Sequence, residues 1–374
     1  MNAVVRVSRP SRAWQVVAAA ALVTVAACSE PAPPPPPPAP PVATPEQRAL
    51  WYQGCWDHYN NKQWDQFQNC YSENAVSEAV DATPALASGR AAIVERDKAE
   101  AVAFPDRKGE VRVILVNGDH MASVALYTAT NTGEMPGPDG KPMKPTGKAI
   151  GVLFGHVIDT DATGARAVRD AGYFDQGTLL AQLGLNPAPA RAPEKPTGAA
   201  AQVVIARNDA TEKANLDATR AAIDAFNKHD LKAIETSTPE NYKLIEIAQP
   251  KDLDKKGSLA SLKELFGGFS DATLTPQSMW AAGDYVVVEG TLTGTNTGDL
   301  KSMGLKKTGK KVTLRYFDVV RFENGKGVDE WLIYNGAAFA GPCATDRSRS
   351  CDKITGIDCA AIHCSERAKS GPFD

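Results

Sequence analysis

The chain has 374 residues, with 41 Lys and Arg against 44 Asp and Glu and a formal net charge of −3. It shows no basic stripe, so nucleic acid is not an expected partner. About 345 residues follow Cys28, enough for two or three domains.

Residues 1–27 read as a targeting segment. Arg6, Arg9 and Arg12 make a basic start, and Trp14 to Ala27 is an apolar run of about 14 residues, short for a membrane span and right for a signal-peptide core. The run ends Val25-Ala26-Ala27-Cys28, which resembles the lipobox of bacterial lipoproteins. That resemblance implies cleavage before Cys28, a diacylglycerol on its thiol and a membrane partner. An ordinary signal peptide with an incidental cysteine is the other reading. Ser29 in place of Asp favours the outer membrane, so the expected address is the bacterial cell envelope. Residues 28–45 form a tether. Pro31 to Pro45 is mostly proline and is expected as an extended stalk of roughly 45 Å, at about 3.1 Å per residue. No other apolar run has membrane-spanning length. Six cysteines remain beyond Cys28, an even number in an oxidising compartment, so disulfides are expected.

The first domain is expected over 46–186. Ala49, Tyr52, Trp56 and Tyr59 recur at helical spacing, Asn60-Asn61 interrupts, and Trp64, Phe67 and Tyr71 resume the pattern. Cys55 and Cys70 flank that break, and a short connection between antiparallel helices predicts a Cys55–Cys70 disulfide. A metal pair lacks further ligands at suitable spacing. A third helix spans 89–103. Period-two alternation then gives strands at 111–115, 121–130, 149–159 and 167–174, and 179–184 closes the domain as a short helix.

Residues 187–201, rich in Pro and Ala, read as a linker. The second domain, 202–341, repeats the order. Asp209 to Glu212 resembles a capping box that opens a helix with Leu216, Thr219, Ile223 and Phe226 on one face. A second helix begins at His229-Asp230-Leu231 and a third covers 259–266. Strands follow at 286–293, 312–322 and 328–334, with Asn324-Gly325 as a tight hairpin turn. One unit occurs twice. Thr130-Asn131-Thr132-Gly133, a loop and Thr146-Gly147-Lys148 return as Thr295-Asn296-Thr297-Gly298, a loop and Thr308-Gly309-Lys310, about 165 positions later. Helices followed by an antiparallel meander, duplicated, define an α+β class with two tandem domains.

Both copies carry a family resemblance. AFPD…NGD…TATNTG…PTGKAI…GYFDQGTLLAQLG in the first and GFSD…AGD…TGTNTG…KTGKKV…FDVVRFENGKGVDEW in the second are similar to the SnoaL-like polyketide cyclases and ester cyclases, of the nuclear transport factor two-like superfamily. The resemblance implies three helices packed on a strongly curved sheet, a cone with an apolar pocket, and a family that includes acid–base enzymes. Its cyclases use an aspartate after the tryptophan of a His-Trp-Asp stretch in the last strand. Here Trp331 is followed by Leu332, and the corresponding pair in the first domain is Ala171-Gly172, so that aspartate is not matched at either place.

The candidate catalytic residues are His156 and Asp175. His156 shares a strand face with Ile150, Val152, Phe154 and Ile158 and reads either as a pocket group or as a buried histidine satisfied by a hydrogen bond. Asp175 closes the last strand and reads either as an acid–base group or as the cap of the following helix. A turn near 161–164 sets His156 opposite Arg169, with Asp175 six residues on, about 20 Å away at roughly 3.3 Å per residue, and with Asp170 facing the other way. No acid–base dyad follows from that register. Phe154 and Tyr173 are candidate ligand contacts in the first domain. In the second, the tight turn sets Asp318 opposite Trp331 with Asn335 on the same face, and these three are candidate ligand contacts there. Cys343, Cys351, Cys359 and Cys364 of the 342–374 tail are expected to form disulfides of undetermined pairing. No metal and no cofactor are expected. The expected function is a lipid-anchored, exported protein that binds a small apolar or amphiphilic ligand or serves as an interaction scaffold, self-association included. The alternative is a cyclase- or isomerase-type enzyme acting through the first domain.

Overall fold

A computed structural model describes residues 42–82, 86–136, 141–302 and 304–340. The lipobox cysteine Cys28 and the tail cysteines Cys343, Cys351, Cys359 and Cys364 lie outside the described residues. Among the described residues no helix is long and apolar enough to cross a membrane.

The first half runs α1 (Pro45–Asn60), α2 (Trp64–Phe67), a 3-10 turn (Gln68–Cys70), β1 (Tyr71–Ala79), β2 (Leu86–Ser88), α3 (Arg90–Ala103), β3 (Lys108–Asn117), β4 (His120–Thr130), β5 (Met135–Pro136), β6 (Pro142–Met143), β7 (Ala149–Thr160), β8 (Ala167–Tyr173) and α4 (Gln176–Gln182). β9 (Gln202–Ile205) follows the connecting segment. The second half runs α5 (Ala210–Asn227), α6 (Leu231–Ser237), β10 (Lys243–Glu246), β11 (Leu253–Asp254), α7 (Lys255–Gly268), β12 (Thr273–Ala282), β13 (Tyr285–Thr295), β14 (Lys311–Glu323), β15 (Lys326–Tyr334) and α8 (Ala337–Ala340). The fold is α+β, with one seven-stranded sheet in the order β2-β1-β8-β7-β4-β3-β9 and one six-stranded sheet in the order β11-β10-β15-β14-β13-β12.

Local sequence explains the boundaries. Thr44 and Gln47 cap α1 reciprocally, with Pro45 in the first turn, where its missing N–H costs nothing. Asp209 and Glu212 do the same for α5. The Cys55–Cys70 disulfide forms, with Cα atoms 5.9 Å apart. It closes a 15-residue separation, which stabilises by ~3 kcal/mol through the unfolded chain. The duplicated Thr-Asn-Thr-Gly unit has a physical reason. Asn131 and Asn296 are both buried. Each accepts the backbone N–H of the returning threonine, Thr146 at 2.7 Å and Thr308 at 2.8 Å, and donates to the carbonyl of Gly133 or Gly298. An apolar or shorter side chain at either place would leave buried backbone groups unpaired. Asp106 and Asp271 accept the N–H of Thr130 and Thr295, so the same clasp is built twice.

Each sheet packs its own helices on one face. In the first half Tyr52, Cys55 and Tyr59 of α1 and Ile93 of α3 meet Ile114, Val116, Met121 and Ile158. The other face is covered by the second half. Leu115, Val124, Leu126, Leu153 and Val157 pack against Trp280, Val287, Phe317, Val319 and Ile333. That two-sided burial is why Val113 to Val116 in β3 and Tyr285 to Val288 in β13 are unbroken apolar runs. Gly155 makes the close approach possible, because a Cβ there would run into the Phe317 ring. β9 pairs in parallel with β3, Val113 to Gln202 and Val116 to Ile205, so residues 202–205 extend the sheet of the first half.

Two registers differ from the expected ones. His156 pairs with Gly172, not Arg169, and Asp318 pairs with Leu332, not Trp331. In each hairpin a bulge shifts the pairing, between Asp159 and Thr160 and between Arg321 and Phe322. A bulge adds a residue to one strand, and a slip of an odd number of residues moves every side chain beyond it to the other face.

Candidate functional site

The corrected register builds the site. Once His156 opposes Gly172, Asp170 lies on the same face of the sheet, two residues back along β8. His156 Nδ1 and Asp170 Oδ1 are 3.1 Å apart, and the Tyr71 hydroxyl donates to Asp170 Oδ2 at 3.0 Å. Asp170, expected to face away, is therefore the partner of His156. Gly172 contributes no side chain; a Cβ there would stand in ordinary contact with the ring, 3.7 Å from its Cε1.

The dyad lies in the wall of a cavity of about 330 Å³ in the first half, within the range of small-molecule sites. The wall is rich in aromatic rings. Tyr52, Trp56 and Tyr59 project from α1, Tyr127 from β4 and Phe154 from β7, and Phe174 follows β8. The Trp56 ring meets the imidazole edge-on at 5.4 Å, and Phe154 stacks on Phe174 at 4.6 Å. These rings fix the orientation of His156 by packing, as Asp170 does by hydrogen bonding.

Charge follows from this arrangement. Burial pushes the Asp170 carboxyl up, but the His156 and Tyr71 hydrogen bonds and the His156 and Arg96 charges outweigh it and hold it below its ordinary value. The group is then an ionised acceptor, and Nδ1 is the imidazole nitrogen that donates to it. His156 Nε2 is buried and has no hydrogen-bond partner among the described residues. A second polar group sits on α3 and just beyond it. Arg96 donates to Ser77 Oγ at 2.8 Å and lies 3.7 Å from Asp97. Burial, and then the charge of Glu100, push Asp97 up to about 7 against the pull of Arg96 and Arg107. Arg107 pairs with Glu100 at 3.2 Å.

The remaining candidates go elsewhere. Phe154 lines the cavity beside His156. Asp175 does not. It caps α4, accepting from the N–H of Thr178 at 2.7 Å and of Gly177 at 3.3 Å, and it accepts the N–H of Gly336 at 2.9 Å from the second half. Tyr173 points away from the cavity, donating to Glu289 at 2.7 Å and stacking on Phe317 with ring centres 5.7 Å apart. Trp331 packs into the shared core between the sheets, on the face opposite Asp318. Asn335 donates to the carbonyl of Asp81 at 2.8 Å. The helix-capping reading thus describes Asp175, and Tyr173, Trp331 and Asn335 hold the two halves together.

In the second half Asp318 occupies the place of His156, and Glu330 that of Asp170. Tyr242 donates to Glu330 at 2.5 Å, the part Tyr71 has in the first half. Burial and the Glu330 charge push Asp318 well above the carboxylate range, and burial raises Glu330. This half keeps the hydrogen-bonded carboxyl and lacks the imidazole.

Asp170, Asp97 and Arg107 were not legible as site residues. Ile93, Val94 and Asp97 fall on one helical face, and a carboxylate on an apolar stripe was the available signal for Asp97. Arg107 follows the Phe104-Pro105-Asp106 turn, where no periodicity says which way a side chain points.

A duplicated α+β chain, with an aromatic cavity in its first half and a histidine–carboxylate pair in the cavity wall, defines a small-molecule-binding class of protein. The sequence profile of the SnoaL-like polyketide cyclases matches residues 46–183 and again 216–340, and the chain belongs to that family. No curated protein matches it. Among solved structures it is similar to AclR of Streptomyces galilaeus, at 22% identity over 34% of this chain and 94% of that one, TM-score 0.32. IdmH of Streptomyces antibioticus matches at 21% identity over 33% of this chain and 94% of that one, TM-score 0.30. A Catenulispora acidiphila protein with a ketosteroid isomerase-like fold, solved with trimethylamine, matches at 17% identity over 38% and 95%, TM-score 0.30.

Proposed function

We propose that the first half binds a small apolar or amphiphilic carbonyl compound in the aromatic cavity and moves a proton on it, as a cyclase or isomerase does. The observation that carries this is the His156–Asp170 pair in the cavity wall, with Nε2 unpartnered. In this reading Nε2 takes a proton from the carbon beside the carbonyl, and the bonding pair moves toward the carbonyl oxygen to give an enolate. Return of the proton to another atom gives an isomer. Attack of the enolate carbon on a second carbonyl of the same molecule closes a ring, and the alkoxide formed takes the proton back from the imidazolium. Asp170 holds the ring tautomer and stabilises the imidazolium formed on the way; a positioned base of this kind contributes about 10²–10⁴-fold. The second half, without an imidazole at the place of His156, supports the first through the shared core. The Cys28 anchor would hold the protein at the envelope, and labelled palmitate incorporation that disappears in Cys28→Ala would support it.

The test is proton exchange. The protein is incubated in deuterated water with a panel of cyclic and open-chain ketones, and exchange beside the carbonyl is followed by NMR. Exchange that His156→Ala abolishes supports the proposal. Absence of exchange across the panel, together with failure of the protein to bind an apolar fluorescent dye, overturns it.

A further inference from the structure

The cavity has a second polar feature that the proton-transfer reading leaves unused. Arg107 is 2% exposed and lines the same cavity as His156. Its guanidinium lies over the Tyr59 ring at 4.3 Å and near the Trp64 ring at 5.5 Å. Its Nη1 is engaged by Glu100, whose side chain is 52% exposed. Its Nε and Nη2 are buried and have no hydrogen-bond partner among the described residues.

Those two nitrogens lie on one edge of the planar guanidinium, the edge whose parallel N–H groups match both oxygens of a carboxylate. A buried donor without an acceptor is destabilising, more so when it belongs to a charged group. Arg107 has two. Stacking on Tyr59 and Trp64 offsets part of that cost but satisfies neither N–H. The two ring contacts and the Glu100 ion pair together hold the guanidinium in place. Burial draws the Arg107 pKa down, against the charges of Asp97 and Glu100, but a guanidinium stays charged at neutral pH.

We infer that the free edge of Arg107 is an anion subsite, and that the ligand of this cavity is an amphiphilic carboxylic acid, with an aromatic or apolar body between a carboxylate at Arg107 and a hydrogen-bonding group at His156 Nε2. The inference rests on the ligand-binding part of the proposed function and adds the chemical class of the ligand. Lys in place of Arg107 would keep the charge but lose the paired N–H edge, and that difference makes the idea testable.

The experiment measures binding of phenylbutanoate, phenylbutanol and phenylbutylamine to the full chain at pH 6 by displacement of a cavity-bound fluorescent dye. The acid is expected to bind about tenfold more tightly than the alcohol, the factor one charge-assisted hydrogen bond supplies. Arg107→Lys should keep a reduced acid preference, and Arg107→Met, which removes both charge and paired edge, should bring acid and alcohol to parity. Glu100→Gln, at a half-exposed side chain outside the core, should tighten acid binding by removing the competing carboxylate, and it tests the idea even where Arg107 variants fail to fold. Equal binding of acid and alcohol by the wild-type chain, or an acid preference that survives in Arg107→Met, overturns the subsite while leaving the apolar cavity standing. If none of the three displaces the dye, or the dye does not bind, the cavity reading and the subsite fall together.

Discussion

Asp170 and His156 lie 14 residues apart in sequence and 3.1 Å apart in space, on neighbouring strands and one face of the sheet. The carboxylate engages Nδ1, and Nε2 is buried with no hydrogen-bond partner among the described residues. Replacing Asp170 by Asn keeps the shape but removes the charge that stabilises an imidazolium. We expect Asp170→Asn to lose about 10²–10⁴-fold of any proton-transfer rate, the whole contribution of a positioned base, with folding intact. Exchange kinetics alongside near-ultraviolet circular dichroism would check this; an unchanged rate would remove Asp170 from the mechanism.

Asp175 gives the contrasting case. Its carboxylate caps α4 and accepts the Gly336 N–H across the contact between the halves, and Asp175 is not itself among the residues that line the cavity. Asp175→Ala should cost about 1–2 kcal/mol for the lost cap. Dye affinity in the cavity should stay within a factor of two. A urea titration and a binding curve on the same sample separate the two effects.

Asp97 predicts a pH dependence with a definite sign. Burial raises its folded pKa to about 7, above the unfolded carboxylate value. Between about pH 4 and pH 7 the folded state then holds a proton that the unfolded state has released. Stability therefore falls as pH rises through that window, by ~1.4 kcal/mol per pH unit at most, and levels off above it. Asp170 works the other way: its depressed carboxyl contributes stability above the unfolded pKa that is lost as pH falls through the folded one. Asp97→Asn should flatten the decline between pH 5 and 7, as read from the urea midpoint. An unchanged slope would show that Asp97 is not the group responsible.

Gly155 sits where β7 meets the Phe317 ring of the second half. A methyl group there overpacks the shared core, and Gly155→Ala should cost about 1–3 kcal/mol. Phe317→Leu in the same chain should recover part of the loss by making room. If the double variant is no more stable than Gly155→Ala, the clash is not between these two residues.

Local sequence determined a good deal of this protein. Periodicity and capping residues set the helices that begin at Thr44 and Asp209. The Thr-Asn-Thr-Gly repeat declared the duplication, because a buried asparagine clasp needs those residues at that spacing. The Cys55–Cys70 pairing was legible from a short helix-to-helix connection. These are interactions within a few residues or across one turn, where spacing fixes geometry. What the tertiary structure decided was which side chains meet. The bulges at Asp159–Thr160 and Arg321–Phe322 carry no residue signature, yet they choose the strand face. They turn Asp170 toward His156 and Trp331 away from Asp318. The pairing of the two sheets likewise drew Tyr173 and Asn335 out of the expected pockets and into the contact between the halves. Arg107 became a cavity residue because the chain beyond α3 lays it over Tyr59 and Trp64. Sequence sets which groups exist and which elements carry them. Register, bulge and sheet-on-sheet packing, which act between residues far apart in the chain, set what those groups face.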